Sequence, residues 1–317
     1  MSALLQLVPL YDPRVWGGQR LKHSPDNPIG EAWVVYERNP VASGPLAGRT
    51  LAEVTAERGA VLVGRHAFAR TGTRFPLLIK LLDCADWLSI QVHPNDEQAI
   101  QMDGPGEFGK TEAWHVLEAE EGARLIAGVR PGTSAAELAQ AIRGGGIEPY
   151  ALYHIVHAGD TIFMPAGLMH ALGPGLLLYE VQQTSDLTYR VFDWDRPASA
   201  GRPLHIEQSV AVTNPELAGK ILPLPPLAAH DQHSLVRCKY FDLSLLVAQS
   251  KPLQLDTLGE SFHALTVIEG KAEVIWGDEQ ITLDRFETVV VSADAGAYSL
   301  NPLTPCRVLS ARVPPVG

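Results

Sequence analysis

Side chains in three short segments have the types and spacing to hold a divalent cation. In Leu88-Ser89-Ile90-Gln91-Val92-His93 polar and apolar residues alternate, so a strand sends Ser89, Gln91 and His93 to one face and Ile90 and Val92 to the other. Lys110-Thr111-Glu112-Ala113-Trp114-His115 alternates as well, which pairs Lys110 with Glu112 and turns His115 away. In Met164-Pro165-Ala166-Gly167-Leu168-Met169-His170 a histidine follows a Pro-x-Gly turn at a strand end. Two imidazoles, a carboxylate and an amide oxygen on neighbouring strands compose a mixed nitrogen and oxygen site for a borderline divalent cation.

Each of these residues also has a plainer use. A lone histidine is more often a hydrogen-bonded core residue than a ligand, and His66, His154, His157, His205 and His263 stand alone, which suits surface or core positions. Lys80 sits in the apolar run Pro76-Leu-Leu-Ile-Lys80-Leu-Leu82. There it must be paired, face a polar cavity or reach water along its stem, because an isolated buried ammonium is costly.

The elements that must position these groups are mostly strands. The 28 glycines and 24 prolines punctuate short runs rich in Val, Leu and Ile throughout the chain. Helical spacing is confined to two stretches: Leu51 to Leu62 after Thr50 as N-cap, and Ser134 to Ile142, which starts at a capping serine and runs into Gly144-Gly145-Gly146. Strands fall into a group from Leu77 to Val191 and another from Tyr240 to Val313. Proline-rich 222–227 and polar 230–233 lie between them, which places a domain boundary between 1–228 and 229–317. In the second group, 264–270, 272–276 and 287–291 are expected to form an antiparallel meander that closes into a barrel or sandwich. Gly159-Asp-Thr-Ile-Phe-Met-Pro165 is echoed by Phe286-Glu-Thr-Val-Val-Val-Ser292, but only the first is followed by a histidine.

Of the 317 residues 46% are hydrophobic and 19% charged, which excludes disorder as the main state. Lys and Arg number 25 against 36 Asp and Glu, for a net charge of −11, so no basic face is offered to nucleic acid or anionic lipid. A phosphate-bearing ligand needs a local basic pocket. Cys84, Cys238 and Cys306 are widely spaced, with no CxxC pair, and the first ten residues lack the basic start of a signal peptide. No apolar run approaches a membrane span. A cytoplasmic protein, monomeric or weakly self-associating, is the expectation.

Gly159 through Pro165-Ala-Gly-Leu-Met-His170 resembles the second cupin motif, with Pro174 where that motif has asparagine; Gln91-Val-His93 resembles an altered first motif. With Val15-Trp16-Gly17-Gly18, Gly30-Glu31-Ala-Trp33, Phe75 to Asp83, Glu180-Val-Gln-Gln-Thr-Ser-Asp186-Leu-Thr-Tyr-Arg190 and Cys238-Lys-Tyr-Phe241, the ordered set resembles the type I phosphomannose isomerases in their short bacterial form. The resemblance implies a mainly β fold of two cupin-like jelly-roll barrels with a few short helices, the catalytic one in 1–228 and one without a metal site in 229–317. It implies one zinc ion on Gln91, His93, Glu112 and His170, and interconversion of mannose 6-phosphate and fructose 6-phosphate through an enediol. It further implies Arg190, Lys110, Asp186 and Glu180 as catalytic residues, and Ser89 and Lys80 against the sugar phosphate; Trp16 and Tyr11 are aromatic candidates for the wall of the substrate pocket or, equally, for the core. Cupin spacing alone would select Glu97 in place of Glu112, but Pro94 and Asn95 end the strand before Glu97. The competing readings are a non-catalytic sugar-binding cupin, a metal-dependent oxygenase, and an isomerase of free aldoses such as mannose.

Overall fold

The computed structural model describes residues 2–197 and 202–315. Packing divides the chain into one unit made of Met1–Leu10, Trp33–Lys80 and Pro225–Gly317, and another made of Tyr11–Ala32 and Leu81–Leu224. The later break falls in the proline-rich stretch where the sequence puts a boundary. The difference is that 1–10 and 33–80 group with the C-terminal strands. One reason is a strand pairing: Leu4–Leu7 runs antiparallel to Thr288–Val291, with Leu4 opposite Val291 and Leu7 opposite Thr288.

In the unit that holds the three motif segments, one sheet has the order Tyr189–Phe192, Ile90–Val92, His170–Leu172, Arg124–Val129, Ala151–Ile155. A second has the order Ile221–Leu222, Thr161–Met164, Glu112–Ala119, Leu176–Gln183. Alternation along the strands sorts the side chains. Leu125, Ala127 and Leu172 from the first sheet meet Trp114, Val116, Leu176 and Leu178 from the second in one apolar core. Ile90, Val92, Ile126, Ala171, Tyr189 and Val191 point the other way, where Leu138, Ile142 and Val212 cover them. The latter three lie on the helices Ala135–Arg143 and Ile206–Val212.

Both expected helices form. Ala135–Arg143 starts at Ser134, whose side chain and that of Glu137 cap each other's backbone N–H, and it stops at Gly144. The first helix runs Leu51–Arg58 from a Thr50 and Glu53 capping box, breaks at Gly59 (φ +52°) and resumes as Ala60–Val63. A positive φ removes Gly59 from the helical region and splits the expected single helix. Arg65–Thr71, Asp96–Met102 and Ile206–Val212 are further short helices. No helix of the described residues is long and apolar enough to cross a membrane.

In the other unit, a sheet ordered Leu4–Leu7, Thr288–Val291, His263–Glu269, Cys306–Arg312, Asp242–Ala248, His230–Arg237 packs on one ordered Leu253–Asp256, Ala297–Pro302, Ala272–Trp276, Glu279–Leu283. Leu265, Val267, Val289 and Val308 of the first and Val274, Leu283 and Leu300 of the second share a core. The expected meander is therefore corrected. His263–Glu269 pairs with Thr288–Val291 and Cys306–Arg312, whereas Ala272–Trp276 joins the other sheet. Both faces of such a sandwich need apolar residues, so strand pattern alone does not reveal which sheet a strand joins.

The internal repeat extends to the backbone: Gly159 has φ +94° and Phe286, its counterpart, φ +72°. The motif glycines Gly17 and Gly30 answer to close approach. A Cβ on Gly17 would lie 2.5 Å from Gly30 N, and one on Gly30 would meet Arg14 and Trp16.

His263 is buried, its Nδ1 is 2.6 Å from the Tyr298 hydroxyl, and its Nε2 has no hydrogen-bond partner among the described residues. Burial, reinforced by Arg312, pushes its pKa down to about 4. The unfolded imidazole therefore takes up a proton first, near pH 6.5, and stability falls as pH drops from there toward 4, by up to about 3 kcal/mol. Urea unfolding at neutral and mildly acidic pH is expected to show wild type losing more stability than His263→Gln.

Candidate metal centre

The centre sits where the two sheets of the second unit stop being apolar to each other. On the five-stranded sheet, Gln91 lies opposite Arg190 on one side and opposite His170 on the other. Directly opposed residues of antiparallel strands point to the same face, so Arg190, Gln91 and His170 form a polar row beside the apolar core. His93 follows one step beyond the strand Ile90–Val92. Glu112 opens the strand Glu112–Ala119 of the other sheet. Backbone bonds stitch the segments together: Gly167 N–H donates to the His93 carbonyl at 2.9 Å, and Lys110 N–H to that of Pro94 at 3.0 Å.

Glu112 has no exposure at all, and His93, Lys110 and His170 are buried around it. Glu112 Oε1 is 3.3 Å from His170 Nε2, and Oε2 is 3.5 Å from His93 Nε2 and 2.9 Å from Lys110 Nζ. Despite these contacts no group donates a well-aligned hydrogen bond to either oxygen. Both imidazoles donate through Nδ1, His93 to the Leu187 carbonyl and His170 to that of Leu168, each at 2.8 Å. That fixes the tautomer and turns an Nε2 lone pair toward Glu112. Burial above all holds His170 neutral, its pKa lowered to about 4. The Gln91 amide ends 3.3 Å from His170 Nε2, and a half-turn of the amide presents its oxygen there.

These separations test the donor set. Four ligands about 2.0–2.1 Å from a tetrahedral ion stand about 3.4 Å apart. The ligand atoms of His93, Glu112 and His170 lie within 4.8 Å of one another, and the contacts of 3.3 to 3.5 Å match that edge. Among the described residues no other group of three His, Cys, Asp or Glu side chains converges in this way.

Residues 4–112 match the catalytic domain of type I phosphomannose isomerase. Mannose-6-phosphate isomerase ManA of Bacillus subtilis strain 168 is 32% identical over 324 aligned residues, covering 95% of this chain and 96% of that protein. The chain belongs to the type I phosphomannose isomerases. The crystal structure of the Bacillus subtilis mannose 6-phosphate isomerase superposes with a TM-score of 0.85 at 29% identity, covering 98% of this chain and all of that one. A zinc-bound holo mannose 6-phosphate isomerase shares the fold at a TM-score of 0.77 and 16% identity, over 98% of this chain and 100% of that one. The fold is thus the mainly β one that the resemblance implied.

The other candidate residues have distinct settings. Glu97 is exposed on the first turn of the helix Asp96–Met102 and stands outside the cluster. His115 turns away from Glu112 and meets the Thr161 hydroxyl at 2.9 Å. Glu180, buried, accepts the Trp114 indole N–H at 2.8 Å. Asp186 is exposed on the connection between Leu176–Gln183 and Tyr189–Phe192. Arg190 Nη1 donates to the Pro203 carbonyl at 2.8 Å, while its buried Nε has no partner among the described residues. Burial and the nearby Arg202 lower the Arg190 pKa from its ordinary value. Trp16, 2% exposed, packs in the apolar core, the alternative always open to it, and Tyr11 is exposed beneath Lys22. Lys80 belongs to the other unit, where it is buried with its ammonium 4.8 Å from the Trp33 ring centre.

A basic group that sequence reasoning passed over adjoins Ser89. Arg202 Nη2 is 3.4 Å from the buried Ser89 hydroxyl, and Asp193 holds the Arg202 guanidinium by Nε at 2.8 Å. Arg196 fastens the same Asp193 to Asp86 and to the Trp87 carbonyl. Trp194 and Asp195 between them have φ +56° and +55°, a strained turn fixed by these bonds and by the Trp194 indole on the Leu88 carbonyl. Two consecutive left-handed residues without glycine leave no signal in a sequence, and the pairing of Arg202 with Asp193 arises only on folding.

Removing the carboxylate leaves the Lys110 ammonium buried without its counter-charge. Glu112→Ala is expected to destabilise metal-free protein by about 3–5 kcal/mol, and Lys110→Met combined with Glu112→Leu to recover much of the loss, as measured by urea unfolding in chelator.

Proposed function

We propose that this chain is a zinc-dependent aldose-ketose isomerase that interconverts mannose 6-phosphate and fructose 6-phosphate, with one zinc ion on Gln91, His93, Glu112 and His170. The observation that carries the reading is the tetrahedral-edge spacing around the buried Glu112 in a chain related along nearly its whole length to a mannose-6-phosphate isomerase. A fully buried carboxylate facing two imidazole lone pairs needs a cation of more than unit charge to satisfy all of them.

Moving the carbonyl between C1 and C2 of the sugar takes a proton from the carbon beside it and returns that proton to the neighbouring carbon. Bound zinc supplies Lewis acidity toward the sugar oxygens. Arg190, in the same polar row as Gln91 and His170, keeps its Nε–H for the oxygen that gains negative charge as the enediol forms. Lys110 Nζ, against Glu112 and His93, orients the reacting hydroxyl and carbonyl. Asp186 carries the proton between the carbons, whereas Glu180 is already engaged by the Trp114 indole. The phosphate takes the Ser89 hydroxyl together with Arg202, the local basic pocket that a chain of net charge −11 requires. Three unpaired cysteines, two of them buried, suit the reducing cytoplasm to which we assign the enzyme.

A coupled assay for fructose 6-phosphate tests the reading on chelator-stripped protein before and after zinc is restored. Activity is expected to vanish and return. Glu112→Ala and His170→Ala are expected to lose both zinc and turnover, whereas Arg190→Ala keeps zinc, by elemental analysis, and loses about 10²–10³ in kcat. An active, zinc-replete His170→Ala protein would overturn the ligand assignment. Zinc-loaded wild type that turns over mannose but not its phosphate would overturn the substrate.

A further inference from the structure

Arg190 is held at three points by the segment Pro203-Leu204-His205. Its backbone N–H donates to His205 Nδ1 at 3.1 Å, its carbonyl accepts the His205 N–H at 2.8 Å, and its Nη1 donates to the Pro203 carbonyl at 2.8 Å. The lone-histidine reading of His205 as a surface or core residue does not account for this arrangement. His205 occupies the N-cap of the helix Ile206–Val212, yet its side chain makes no capping bond. A side chain that neglects its own helix and turns to the strand Tyr189–Phe192 is serving that strand.

We propose that His205 is a positioning residue for the isomerisation: its neutral imidazole locks the Arg190 backbone and guanidinium in the polar row with Gln91 and His170, and protonation of the ring releases them. The inference rests on the reading of Arg190 as the group that stabilises charge in the reaction.

The chemistry of the contact fixes the protonation state. A backbone N–H can only donate, so Nδ1 must carry a lone pair and the ring proton must sit on Nε2. An imidazolium would set a second N–H against that of Arg190 and break the bond. Burial, followed by the Arg190 charge, lowers the His205 pKa from 6.5, and Asp103 at the end of the helix Asp96–Met102 opposes this. Tyr189, whose ring lies 6.2 Å from that of His205, spends its hydroxyl on Asp103. On Ala135–Arg143, which packs against the His205 helix, Arg143 is paired with Glu207. The lock therefore holds at neutral pH and opens as the medium becomes acidic.

The test compares kcat, KM, zinc content and the pH profile of kcat for wild type, His205→Ala, His205→Asn and Arg190→Ala. His205→Ala is expected to keep its zinc, change KM little and lose about 10- to 100-fold in kcat, the range for a misplaced catalytic group. His205→Asn, whose amide oxygen can accept the same N–H without titrating, is expected to recover most of that kcat. Its kcat relative to wild type should rise as pH is lowered below about 6.5. If Arg190→Ala is inactive but both His205 variants match wild type in kcat and pH profile, the His205 proposal is overturned and the role of Arg190 stands. If Arg190→Ala is fully active, the reading on which the proposal rests fails. Should His205→Ala not fold, the pH profile of His205→Asn decides alone, and a profile identical to wild type overturns the proposal.

Discussion

A carboxylate at the edge of an apolar core sets the terms for everything around it. Glu112 has no contact with water, and its neighbours are two imidazole lone pairs and an ammonium. Desolvating a carboxylate costs several kcal/mol even after relaxation, so the fold keeps it only where positive charge is guaranteed. Lys110 supplies one such charge, and the His93, Glu112 and His170 side chains converge as a candidate site for a cation that would supply a larger one. The requirement explains why residues far apart in the chain must meet within a few tenths of an ångström of a set spacing.

Meeting that tolerance falls to the backbone. The carbonyls of His93 and Pro94, at the end of one strand, receive N–H groups from Gly167 and Lys110, so the three segments that carry the candidate site are tied by main-chain bonds before any side chain is considered. The Nδ1 bonds of His93 and His170 to carbonyls then set the ring orientations. The same logic continues outward. A strained turn at Trp194 and Asp195, fastened through Arg196, Asp193 and Arg202, follows the Arg190 strand, and the Pro203 to His205 segment returns to clamp it. Strain of this kind persists only where surrounding bonds over-determine it, and here the bonds converge on Arg190, which stands opposite Gln91 in the polar row.

The two units carry related strands with different duties. Gly159 and Phe286 share a positive φ ahead of strands of similar sequence, although only the first strand leads to a histidine of the candidate metal site. In the other unit the interior between the two sheets is filled with apolar side chains, mostly aliphatic with Tyr298 among them. Its buried His263 answers to Tyr298.

The chain by itself determined the local terms. Period-two alternation put Gln91 and His93 on one face and Glu112 away from His115, capping serine and threonine marked two helix starts, and the order of the motifs identified the family. These features depend on residues close in sequence, where a face or a cap follows from spacing. Tertiary structure alone decided that residues 1–10 and 33–80 pack with the C-terminal strands, and that strands 264–270 and 272–276 part into different sheets. It alone revealed the Arg202 and His205 contacts, because those pair side chains with groups in separate segments and carry no local periodicity. A strand's pattern states which residues share a face; only the sheet it joins states what that face will meet.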